Sequence, residues 1–110
     1  MRVLSYLAAI ATISLTVIAA VAAEPDVQIF RPDGTLQCGM GKKIPIADMK
    51  AELAKAHIDV LNAREGNDGL MHPMLCGAAT GNINIFTIAS KDLEAARKLG
   101  FEPYSPPKEP

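Results

Sequence analysis

Few side chains in this 110-residue chain suit chemistry: two cysteines, two histidines and five methionines. Met71, His72, Met74 and Cys76 crowd into the stretch "LMHPMLC". Cys38 and Met40 form a second, smaller group in "CGMG". These residue types at this spacing admit three chemistries: a thiolate nucleophile, a soft-metal site or a disulfide.

A thiolate nucleophile needs a base beside it and a third group that orients the base. His57 and His72 are the only imidazoles. In a strand, His72 and Cys76 would share a face yet sit about 13 Å apart, too far for direct proton transfer. No Cys/His signature surrounds either cysteine, and their wide separation excludes a Cys-x-x-Cys redox site. No catalytic residue is assigned, and the chain reads as a non-enzyme.

The soft-metal reading is more specific. Strand alternation would place His72, Met74 and Cys76 on one face, and pairing of the two cysteine segments would bring in Cys38 and Met40. Imidazole, thioether and thiolate together suit Cu(I). Against it, the chain lacks a Met-x-x-Met repeat and a His-rich run. Methionine is also a common filler of core gaps. This donor set is kept as an alternative that requires reduced cysteines. No cofactor is assigned.

Disulfide pairing follows from the compartment. Arg2 precedes an uncharged run from Val3 to Ala22, and Val21 and Ala23 supply the small residues of a peptidase site. Residues 1–23 therefore read as a secretory signal cut after Ala23. The run is about 20 residues long, enough to span a bilayer, so a retained anchor is the alternative. Ser5, Thr12, Ser14 and Thr16 dilute it and favour cleavage. The expected address is secreted or periplasmic, with no membrane association after cleavage. Outside the cytosol two cysteines pair by default. A Cys38–Cys76 bond would close a loop of about 39 residues and contribute about 4 kcal/mol through loop entropy.

Other motifs fall away. Gly34 and Gly41 are too far apart for a phosphate loop, and Lys43 is followed by Ile44 rather than Ser or Thr. "GNDG" lacks the spaced carboxylates of a calcium loop. Asp59, Glu65 and Asp68 form no recognisable catalytic pair, and without tryptophan there is little to stack a sugar or a base. Two weaker candidates remain. Thr80, Asn82 and Asn84 would form a polar patch beside the Cys76 turn. Leu70 and Met71 would suit the specificity pocket of a protease.

The elements that must position these residues are short. "VQIF", "RPDGT" and "LQC" read as strand, turn, strand, with Pro32, Asp33 and Gly34 as turn formers. Ile46, Met49, Leu53 and Ala56 fall on one stripe of a helix that Pro45 opens. Ile58–Ala63 reads as a strand, "EGNDG" as a hairpin turn and Leu70–Cys76 as a returning strand that Pro73 demotes to an edge. "NINIFTI" carries apolar residues on both faces and predicts a central strand. Ser90 is the expected N-cap of a second helix with Leu93, Ala96 and Leu99 as its stripe. Gly100 and Phe101 supply its stop. The order ββαβββα predicts an α+β domain over residues 24–101, an antiparallel-rich sheet with two helices on one face. Residues 102–110, "EPYSPPKEP", read as a proline-rich disordered tail.

Composition narrows the function. Without Arg2 the chain holds ten Lys and Arg against twelve Asp and Glu, which argues against nucleic acid. The expectation is an exported, disulfide-stabilised, noncatalytic domain that binds a protein or envelope component. A protease inhibitor and a copper protein are the alternatives.

Overall fold

A computed structural model describes residues 25–106. The expected export signal lies outside the described residues, as does the end of the tail. The fold is α+β. Four strands form one antiparallel sheet: β1 (Asp26–Pro32), β4 (Asn62–Asn67), β5 (Asn82–Ala89) and β6 (Glu102–Pro103). Their spatial order is β4-β5-β1-β6. Two short strands, β2 (Thr35–Leu36) and β3 (Met40–Gly41), form a separate ribbon. Helix α1 (Ile46–Lys55) connects β1's side of the chain to β4, and α2 (Leu93–Lys98) connects β5 to β6. Each crossover therefore skips one strand, which is the split β-α-β arrangement. No helix among the described residues is long and apolar enough to cross a membrane.

The core lies between one sheet face and the two helices. Ile29 pairs with Phe86 across β1 and β5, and both are buried with Ile88, Met49, Leu53, Ile58, Ala96 and Phe101. The predicted helix stripes are the faces that pack: Ile46, Ala56, Leu93 and Leu99 flank this cluster. Phe86 and Phe101 meet edge to face, with ring centroids 5.8 Å apart. Ile83 and Ile85 occupy the other face and are also buried, so β5 is central as its two-sided apolar pattern predicts. On that face Phe30 and Tyr104 stack edge to face, and Arg64 lies over the Tyr104 ring.

Arg31 joins both helices to the sheet. It donates to the Leu99 carbonyl at 3.0 Å, pairs with Glu52 of α1 and lies over the Phe101 ring. The α2 end it contacts is a Schellman stop. Gly100 N–H reaches Arg97 O, Phe101 N–H reaches Ala96 O, and Gly100 holds φ 92°.

Several expectations need correction. The first two predicted strands do not form a hairpin, because β1 pairs with β5 and β6 while β2 pairs with β3. The strand expected at Ile58–Ala63 begins at Asn62, since Ile58 and Val60 pack onto the core as the chain leaves α1. Glu65-Gly66-Asn67 is strand rather than turn. Leu70–Cys76 forms no strand. Ser90 is not an N-cap: it opens a short 3-10 turn, and neither that turn nor α2 has a side-chain cap. The ordered domain also passes residue 101. Glu102 and Pro103 pair with β1, and Tyr104 N–H donates to Gln28 O at 2.8 Å. Proline is tolerated there because β6 is an edge strand.

Candidate functional site

Two segments that leave the sheet at one end fold together as a lobe. Residues 33–44 follow β1, and residues 68–81 join β4 to β5. Cys38 and Cys76 are joined in a disulfide, the pairing expected from the sequence. Backbone bonds add to the tie: Gln37 N–H donates to Ala78 O at 2.8 Å and Gly77 N–H to Gln37 O at 3.3 Å. Thr80 Oγ1 lies 2.7 Å from Thr35 Oγ1 and 3.2 Å from Thr35 O. No residue of 33–43 or 68–81 belongs to the buried apolar cluster. The lobe therefore rests on its cross-link and hydrogen bonds rather than on a core of its own.

The longer segment is braced at its root. Asp68 Oδ1 accepts from Leu70 N–H at 2.9 Å, and Asn67 Oδ1 accepts from Gly69 N–H at 2.9 Å. His72 Nε2 lies 2.8 Å from Asp68 Oδ2. Gly81 makes room for this pair. A Cβ there would come within 2.8 Å of Asp68 Oδ1 and 2.9 Å of the His72 ring, at a φ of +84° that disfavours other residues.

Beyond the brace the side chains point into solvent. Leu70 is 68 % exposed, Met71 101 %, Met74 90 % and Leu75 67 %. Met40, 50 % exposed, comes from the other segment, with its sulfur beside Gly77. Five large apolar side chains are thus exposed on the two segments that the disulfide joins. A small domain ordinarily hides most such residues.

The sequence candidates sort clearly against this geometry. Leu70 and Met71 are at the surface, as a contact residue must be. The expected polar patch is divided. Thr80 is engaged in the lobe, and Asn84 is fully buried, donating to Ile44 O at 3.1 Å while its Oδ1 meets no partner. Only Asn82 opens outward, into a cleft it shares with Asp33, Lys43, Glu65 and Asn67. The soft-metal donors are not assembled as free ligands. Both sulfurs of Cys38 and Cys76 are consumed by their bond, and one nitrogen of His72 is turned to Asp68. Among the described residues no group of three His, Cys, Asp or Glu side chains is placed to hold a metal.

The sequence does not mark Leu75 or Asp33 as site residues, and it offers Asp68 only as a scattered carboxylate. The first looks like core material, and the other two look like solvated turn residues. No protein-family model, curated protein or solved structure matches this chain, and the site is read from its own geometry.

Proposed function

We propose that this chain is an exported, noncatalytic binding domain that docks a protein or envelope partner through the apolar surface of its disulfide lobe. One observation carries the reading. Leu70, Met71, Met74 and Leu75 are exposed together on a loop that is braced at its root and covalently tied at its end. Burying such side chains is worth about 1.5–3 kcal/mol each, and a braced loop loses little entropy on docking. Without Arg2 the chain balances ten basic against twelve acidic residues, so apolar contact, rather than a strong net charge, is the main source of affinity.

The braced loop weighs against the protease-inhibitor alternative. A substrate-like loop lends its backbone N–H groups to the protease as an added strand does. Here Gly69 and Leu70 N–H are already held by Asn67 and Asp68. The loop is built to present side chains rather than backbone. The exposed disulfide fits an oxidising compartment, in keeping with the expected export.

The test is capture from an envelope extract with immobilised protein, compared with a Leu70→Ser, Met71→Ser, Met74→Ser, Leu75→Ser variant. All four positions are exposed, so the variant should keep its circular-dichroism spectrum and thermal midpoint. The wild type should retain a partner that the variant releases. Identical retention by both proteins would move the binding surface elsewhere.

A further inference from the structure

We propose that the cleft at the lobe end of the sheet binds an alkylammonium group, with Asp33 as its counter-ion. The cleft holds about 440 Å³ and is lined by Asp33, Lys43, Glu65, Gly66, Asn67 and Asn82, with Ile83 at its base. Asp33 is only 4 % exposed. Its Oδ1 accepts from Thr35 N–H at 2.9 Å and from the Thr35 hydroxyl at 2.6 Å. No hydrogen bond from a described residue reaches Oδ2, and no described cation pairs with Asp33. The lysine in the lining, Lys43, is held by Glu65 at 3.1 Å. Oδ2 is not sealed off either, because Asn84 Oδ1 is the one unpartnered buried side-chain oxygen among the described residues. The free oxygen therefore meets the cleft.

A carboxylate this buried is costly without a counter-charge, and buried charges are ordinarily paired. A ligand cation supplies the missing partner. An ammonium brings three donors, and the side-chain oxygens of Asn67 and Asn82, which already accept from Gly69 N–H at 2.9 Å and Asn67 Nδ2 at 3.4 Å, each keep a second lone pair in the lining. Other ligand classes fit less well. A divalent metal wants six or more oxygens and more carboxylates than this lining holds. An anion would face Asp33. A sugar would find no aromatic side chain in the lining. The inference uses no property of the apolar loop, so it stands or falls separately from the docking surface.

The ammonium has two sources: a free small amine, or a lysine side chain of a partner. The experiment is a titration of isotope-labelled protein, followed by amide chemical shifts, with n-butylammonium, n-butanol and a capped lysine peptide. Butylammonium should give saturable, millimolar shifts at Thr35, Gly66, Asn67 and Asn82. Butanol has the same shape without the charge and should bind roughly tenfold more weakly or not at all. Asp33→Asn keeps an oxygen for Thr35 and so preserves the turn, yet should weaken butylammonium to the level of butanol. Tighter binding of the lysine peptide assigns the group to a partner's side chain, and tighter binding of butylammonium assigns it to a free amine. Equal binding of butanol, equal binding by Asp33→Asn, no saturable shift, or the same shifts produced by Ca²⁺ would each overturn the proposal. If Asp33→Asn does not fold, the comparison of butylammonium with butanol decides alone.

Discussion

His57 closes α1 in a conformation that few L-residues hold. Its φ is 61°, its N–H reaches Ala54 O at 3.0 Å, and Ile58 N–H reaches Leu53 O at 3.0 Å. The same pair of bonds closes α2, where Gly100 occupies the left-handed position instead. A left-handed L-residue costs about 1–2 kcal/mol, and glycine recovers that at an entropic cost of about 0.5–1 kcal/mol in the unfolded chain. His57→Gly should therefore stabilise the domain by about 0.5–1 kcal/mol and raise the melting temperature by about 2–8 °C. Thermal unfolding at neutral pH reads this directly. An unchanged or lower midpoint would mean that the exposed imidazole makes a compensating contact. The sequence marks the second stop plainly, because Gly-Phe after a helical stripe has few other uses. It hides the first, because a histidine there looks like a helix-dipole partner rather than a left-handed cap.

At the scale of elements, the lobe and the sheet are held by different forces. The sheet packs against two helices through a buried apolar cluster, while the lobe supplies only Ile44, at the margin of that cluster. Its two segments meet through the disulfide, the Thr35–Thr80 contact and a few backbone bonds. Regions with few buried apolar contacts open at lower free energy than the rest of a domain. In Cys38→Ser/Cys76→Ser, amide hydrogen exchange at Gln37, Gly77 and Ala78 should become fast, while Ile29, Ile85 and Phe86 stay protected under native conditions. Global stability should fall by about 2–4 kcal/mol as the unfolded chain regains its loop entropy. Uniform loss of protection across lobe and sheet would show one cooperative unit instead. The elements that the sequence displays are those whose side chains do the packing. The Ile46–Ala56 stripe, the two-sided β5 and the Leu93–Leu99 stripe all bury what their patterns promise. The pattern misleads where apolar residues serve something other than a strand. Ile58 and Val60 anchor the exit from α1, and Leu70, Met71, Met74 and Leu75 stay outside. The true edge strand, "NAREGN", is polar because its pairing with β5 is a matter of backbone, which a side-chain pattern does not report.

The whole molecule has two unlike poles. β1 enters at Asp26 opposite Ala89 and leaves at Pro32 opposite Ile83, a span of about 20 Å. The lobe begins beyond Pro32, and Asn67 and Asn82, which flank the long segment, pair at that same end. The chain returns through β6 in the other direction, so Tyr104 lies beside Gln28, near the entry of β1. Both ends of the described chain thus leave from one pole, and the apolar surface and the Asp33 cleft occupy the other. Pro25 and Pro106, the first and last described residues, therefore lie toward the pole away from the surface proposed to bind. This geometry makes a test that separates position from chemistry. A compact carrier domain fused after Pro106 should leave partner capture within about twofold of the wild type, a difference of less than about 0.5 kcal/mol. The same carrier inserted between Met71 and His72 should abolish capture by steric exclusion alone. Exposed loops accept insertions, so that variant should keep the thermal transition of the sheet. Equal losses from both placements would mean that the partner wraps the molecule or uses the sheet face around Phe30, Arg64 and Tyr104. Loss from the fusion after Pro106 alone would place the binding surface at the pole of the termini.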